Sequence, residues 1–180
     1  MIYIFLADGF EEIEALTPVD VFRRAGLETL TVSITDKPTV VGSHNIAVWA
    51  DTTLSNVNLS DAELLLLPGG MPGTTHLGEC KELCNAVLAH TAAGNPIAAI
   101  CAAPSVLGKL GLLSGKEATC YHGFEGALTG ATVSEKKVVR DGNIVTAAGM
   151  GVALDFSLEC LRLLGHADAA DKIRKGVIAE

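Results

Sequence analysis

The chain has 180 residues, 49% of them apolar, and the apolar set is mainly Ala, Val, Ile and Leu, with only 4% aromatic. That is enough material for one sizeable core, and a single domain over residues 1–180 is expected. The net charge of −8, with no basic run longer than Lys136–Lys137, repels phosphate backbones and argues against a nucleic-acid partner.

Ile2–Leu6 reads as a buried strand closed by Ala7-Asp8-Gly9. No basic segment precedes it and Asp8 cuts it short, so no signal peptide is expected. No apolar stretch reaches the roughly 20 residues of a membrane span, so no membrane partner is expected either. Glu11 to Ala25 reads as a helix stopped by Gly26, with Pro18 marking a kink or a restart. Leu27–Ile34 is a second strand, and Thr39–Ala50 is a short strand pair around Gly42. Ala62–Leu67 is a strongly apolar strand running into Pro68-Gly69-Gly70. His76–Ala93 reads as one amphipathic helix, stopped by Gly94 and Pro96. Ile97–Ile100 is another buried strand. Cys101 follows it directly, and Pro104 sits in the first turn of the next helix. Val133–Val139 and Asn143–Ala147 flank Asp141-Gly142, a hairpin signal. Val152–Leu164 is a helix ended by Gly165, and a short helix closes the chain. Strands alternating with helices imply a doubly wound, mostly parallel α/β sheet with helices on both faces, a flavodoxin-like sandwich.

In such sheets ligands bind beyond the carboxyl ends of the central strands. Pro68-Gly69-Gly70 and Cys101-Ala102-Ala103-Pro104 are both delivered there. A thiol at a strand-to-helix turn resembles a nucleophile elbow with sulfur in place of oxygen, and a helix N-terminus favours the thiolate. The other four cysteines read differently. Cys80 and Cys84 lie one helical turn apart with His76 a turn earlier, but three ligands in one helical row do not close a tetrahedron, so no metal is expected. Cys120 and Cys160 read as packing residues. Five cysteines without a small-domain disulfide pattern suit a reducing, cytoplasmic setting. An acid to partner Cys101 has three candidates at the first helix, Glu11, Glu12 and Glu14, and the residues alone do not choose among them.

Three segments resemble the DJ-1/ThiJ/PfpI family: Gly9-Phe10-Glu11-Glu12-Ile13-Glu14 with Thr17-Pro18-Val19-Asp20, Leu67-Pro68-Gly69-Gly70, and Ala98-Ala99-Ile100-Cys101-Ala102-Ala103-Pro104. Gly149-Met150-Gly151 with Asp155-Phe156 falls where the family has a glycine-containing loop before its last long helix. The resemblance implies that Cys101 is the reactive residue and Glu14 its buried, protonated partner, with the N–H groups of Gly70 and Ala102 forming an anion hole. It implies a homodimer and chemistry without a cofactor. The family histidine falls on Tyr121 by a gapless count, with His122 one place later; on a strand one step reverses the face. His122 is therefore carried as a third catalytic candidate, with Tyr121 as its competitor for the place. Ala102, where the proteolytic branch has histidine, argues against peptidase activity. Ala148 and Met150, where many relatives have arginine and proline, argue against an anion contact from that loop. His44 stands where some relatives carry arginine near the site. The resemblance implies a small aldehyde, dicarbonyl or glycated substrate. Its alternatives are a redox sensor or chaperone acting through Cys101 oxidation, and a role in thiazole or thiamine metabolism.

Overall fold

The computed structural model of the chain describes residues 1–179. Eleven strands and six α-helices alternate along it. The strands are β1 (Ile2–Leu6), β2 (Thr29–Ser33), β3 (Thr39–Val41), β4 (Ala47–Trp49), β5 (Thr52–Thr53), β6 (Leu64–Leu67), β7 (Ile97–Ile100), β8 (Glu117–Ala118), β9 (Thr132–Val133), β10 (Val138–Asp141) and β11 (Ile144–Ala147). The helices are α1 (Glu12–Arg24), α2 (Gly73–Glu79), α3 (Lys81–Ala92), α4 (Pro104–Lys109), α5 (Ala153–Leu163) and α6 (Ala167–Gly176).

Seven strands form the main sheet in the order β10-β11-β7-β6-β1-β2-β5. All its pairings are parallel except the β10–β11 hairpin, which turns at Gly142-Asn143, one residue beyond the Asp141-Gly142 pair the sequence marks. The strands can be aliphatic throughout because both faces are covered. Ile2, Ile4, Leu6, Leu64, Leu66, Ala98 and Ile100 join one core with Phe22 of α1 and Phe156 and Leu161 of α5. Tyr3, Phe5, Leu65, Leu67, Ile97 and Ala99 join the other core with Leu77, Leu83, Val87 and Leu107 of α2, α3 and α4. Each fully buried Leu or Ile contributes roughly 1.5–3 kcal/mol relative to exposure. No helix among the described residues is long and apolar enough to cross a membrane.

Three local expectations give way. Helix α1 does not restart at Pro18 but runs from Glu12 to Arg24. Proline deletes one helical donor there, and the packing of Ala15, Val19 and Phe22 in the core holds the helix together. The single helix expected over His76–Ala93 is two: Cys80 takes an extended ψ of 96°, and its N–H closes α2 on His76 and Leu77. The strand expected over Val133–Val139 is divided between β9 and β10, because the Ser134 hydroxyl accepts the Lys136 N–H in a local turn. The helix after Cys101 does open with Pro104 in its first turn, as expected, and spans six residues.

The sheet order fixes where chemistry gathers. From β1 the chain moves outward to β2 and β5, then returns to β6 on the other side of β1. The order therefore reverses between β1 and β6, which is the crevice where such sheets bind ligands. The segments leaving β1, β6 and β7 carry Glu11–Glu14, Pro68–Gly70 and Cys101.

Candidate active site

Cys101 has φ of 64°, one of three non-glycine residues in the left-handed region. Such a residue costs about 1–2 kcal/mol, and the surrounding main chain enforces it. The Cys101 N–H donates to the Ala147 carbonyl at the end of β11 (2.8 Å), and the Cys101 carbonyl accepts the Tyr121 N–H (2.8 Å). The backbone thus pivots between two anchors, and the half-buried thiol projects into the crevice.

The structure chooses among the three glutamates. Glu14 is 1% exposed and its carboxyl lies against the Cys101 thiol. Its Oε2 accepts the Gly69 N–H at 3.0 Å, and the Met150 N–H reaches the same carboxyl. Gly69 lies between the two groups: a Cβ there would come within 2.6 Å of both the Cys101 Cβ and Glu14 Oε2. Gly70, with φ of 88°, turns the chain so that its own N–H faces the sulfur, as does that of Ala102. The Gly70 turn is braced by the Glu11 N–H donating to the Gly69 carbonyl (2.9 Å).

The electrostatics differ from a simple helix-end thiolate. Burial pushes the Glu14 carboxyl up to about 7, against the hydrogen bonds from Cys101, Gly69 and Met150. Burial first, then the Glu14 charge and its hydrogen bond, push the Cys101 thiol up to about 12, while the Gly70 and Ala102 N–H groups pull it down. Against the expectation of a thiol lowered by a helix N-terminus, burial and Glu14 outweigh the Gly70 and Ala102 N–H groups. The pair titrates as a unit, since two anions in contact in a buried crevice repel. Once Glu14 is protonated, the charge that raises the thiol is gone and the carboxyl becomes a donor.

Glu12, also buried, serves a different purpose. Its carboxylate accepts the His44 N–H (2.9 Å) and contacts His44 Nδ1 (2.8 Å), tying the β3–β4 hairpin to the start of α1. Burial pushes Glu12 up, but its bonds with His44 and the backbone hold it below its ordinary value. The same contacts, with the Glu11 charge, raise His44. Glu11, Glu12 and His44 are the one cluster with metal-like ligand spacing among the described residues, and it is internally hydrogen-bonded.

His122 is exposed and stacks on Tyr121 at 4.0 Å between ring centroids. Residues 119–122 lie beyond β8, so the strand alternation expected there does not apply. Among the described residues neither ring hydrogen-bonds to Cys101 or Glu14. Both rings, with Gly149, Met150, Lys136 and Glu125, line a cavity of about 430 Å³. That cavity borders the Glu14–Cys101 pair through Gly149, where a Cβ would lie 3.9 Å from Glu14 Oε1. Gly69 and the Met150 N–H are site groups that sequence reasoning did not assign; the paired glycines after β6 were the available signal for the first, and a main-chain donor at position 150 left none. His76 turns away from the other cysteines to the Asp8 carbonyl (2.9 Å). Cys120 and Cys160 are buried, as packing residues should be.

An α/β sandwich with a buried carboxyl against a cysteine at a strained turn defines a class of cysteine-elbow proteins. Within that class, a model of the DJ-1/PfpI family matches residues 1–163, and the chain belongs to that family. Protein dj-1beta of Drosophila melanogaster is 34% identical over 177 residues, covering 97% of this chain and 95% of that protein. Deglycase PfpI of Pyrococcus furiosus is 31% identical, covering 88% and 95% of the two chains. The solved structure of oxidised Toxoplasma gondii DJ-1 superposes with a TM-score of 0.94 at 34% identity, covering 98% of this chain and 97% of that one.

Proposed function

We propose that this protein converts small reactive dicarbonyls, of the methylglyoxal type, to hydroxy acids without a cofactor, and removes related adducts from glycated groups. The observation that carries the reading is the buried Glu14–Cys101 pair at the sheet's switch point. The name of the deglycase relative supports the substrate class.

The Cys101 thiolate attacks the aldehyde carbon, and the carbonyl electron pair moves to oxygen, where the Gly70 and Ala102 N–H groups face it. Glu14 donates its proton to give a neutral hemithioacetal. As carboxylate it then takes the proton from the sulfur-bearing carbon and returns one to the neighbouring carbon. The ketone becomes a hydroxyl and the first carbon becomes a thioester. Water cleaves the thioester, releasing the hydroxy acid and restoring the thiol. His122, on the wall of the adjoining cavity, is the third catalytic candidate, orienting the leaving acid or the water.

Lactate formation from methylglyoxal, in a buffer free of amines and glutathione, tests the reading. Wild type should form lactate and Cys101→Ala should not. Equal lactate from both, or none from either, refutes it.

A second reading is a peroxide sensor in which Cys101 is oxidised to a sulfinate. The same Gly70 and Ala102 N–H groups suit those oxygens, and the description of the Toxoplasma relative as oxidised favours it. The protein also functions, in this proposal, as a homodimer. Supporting it are Ile13 (48% exposed) on α1 and Ile46 (53%) and Trp49 (74%) on or beside the β3–β4 hairpin that Glu12 and His44 clamp to that helix. Sedimentation at the monomer mass would refute the dimer.

A further inference from the structure

The break between α2 and α3 brings two half-buried cysteines together outside the site. The Cys84 N–H donates to the Cys80 carbonyl at 2.9 Å, closing one helical turn. That turn sets their Cα atoms roughly 6 Å apart, within the span of roughly 4.4–6.8 Å that disulfides bridge. In a continuous helix two such side chains point in parallel and their sulfurs meet poorly. Here Cys80 has left helical geometry, with ψ of 96°, and its Cβ direction is set free of the helix that follows. The Cys84 side chain reaches back over the break, its thiol touching the carbonyls of Leu77 (3.7 Å) and Gly78 (3.5 Å). Burial, then the charge of Cys80, raise the Cys84 thiol, so the two sulfurs sense each other.

We propose that Cys80 and Cys84 form a redox-active dithiol that closes to an intrachain disulfide independently of Cys101. With a hydroperoxide as oxidant, one thiolate attacks the terminal oxygen. An S–O bond forms, the O–O bond breaks, and water or alcohol leaves after taking a proton. The second sulfur attacks the resulting sulfenic acid; an S–S bond forms, the S–OH bond breaks, and water leaves. Two thiols lose two electrons and the peroxide gains them. With a small disulfide as oxidant, two thiol–disulfide exchanges give the same product and two small thiols. Closure withdraws the Cys84 sulfur from the last carbonyls of α2, whose first turn hangs on the Gly70 carbonyl through the Thr74 N–H (2.9 Å).

Lys81 lies between the two cysteines, so trypsin reports the bond directly. Full-length Cys101→Ser protein is exposed to hydrogen peroxide or glutathione disulfide at levels that oxidise Cys101 in the wild type. Free thiols are blocked with N-ethylmaleimide and the protein is digested without reductant. The expected result is fragments 25–81 and 82–109 held together, with loss of two blocked thiols, and separation on adding dithiothreitol. In that variant Cys80 and Cys84 are the only cysteines in those fragments. The wild type, read by fragmentation that separates Cys84 from Cys101, gives the same joined pair and guards against a folding defect in the variant. Cys80 and Cys84 recovered as separate maleimide, glutathione or sulfinate adducts would overturn the proposal. So would a bond from either to Cys101 or Cys120.

Discussion

Glu14→Gln isolates the buried carboxyl. The amide matches its shape, its oxygen still accepts the Gly69 N–H, and its NH2 mimics the proton that Glu14 carries towards the sulfur. The wild-type carboxyl rises from its ordinary 4.5 to about 7 on folding, chiefly through burial. A group with a raised folded value binds more protons in the native state than in the unfolded one. Its contribution is therefore fully present below about pH 4.5 and is lost as pH rises towards 7. At ~1.36 kcal/mol per pH unit, that loss is about 3 kcal/mol. The glutamine protein has no such loss, so it should gain about 3 kcal/mol on the wild type between pH 4.5 and 7.5. Urea unfolding of both proteins at half-unit pH steps measures it. The same variant keeps a donor to the sulfur but has no base, and turnover should fall by about 10²–10⁴-fold. A stability difference that stays flat across the window would refute the picture of a buried neutral carboxyl, whatever happened to activity.

Three further outcomes follow from the geometry. Gly69→Ala forces a Cβ between the thiol and the carboxyl and should lower cysteine-dependent turnover by about 100-fold, with the thiol still present in a titration with Ellman's reagent. Cys101→Gly should withstand more urea than Cys101→Ala, by about 1 kcal/mol, because glycine takes φ of 64° without steric cost. His44→Ala should destabilise the protein only between the lowered Glu12 value and the raised His44 value, where the ion pair exists; unfolding of variant and wild type should converge once the pH passes above the raised His44 value.

The sheet was legible because its central strands β1, β6 and β7 are apolar on both faces, and the hairpin because Asp141-Gly142 marks a turn. The position of the candidate thiol was legible because Cys101 joins an apolar strand to a proline-opened turn. The break at Cys80 was not, since it turns on one ψ angle in a segment whose composition suits a helix. The choice of Glu14 over Glu11 and Glu12 could not be made from the residues alone. Which of the three faces a thiol and which a histidine depends on loops at 42–44, 69–70 and 149–150, all remote in sequence. The family resemblance supplied Glu14, and the burial explains it. Helix-end reasoning sees the peptide dipoles near Cys101 but neither the burial of the thiol nor a carboxyl brought from another strand's loop, and both raise it.

The strained turn also bears on what else this position could carry. The place of the sulfur is written in two main-chain bonds, to Ala147 and Tyr121, and neither involves the side chain. The backbone therefore works as a socket, presenting whatever residue it holds to the Glu14 carboxyl and the Gly70 and Ala102 donors. A hydroxyl or a selenol seated there would meet the same acid and the same anion hole, so the fold separates the choice of nucleophile from the means of aiming it.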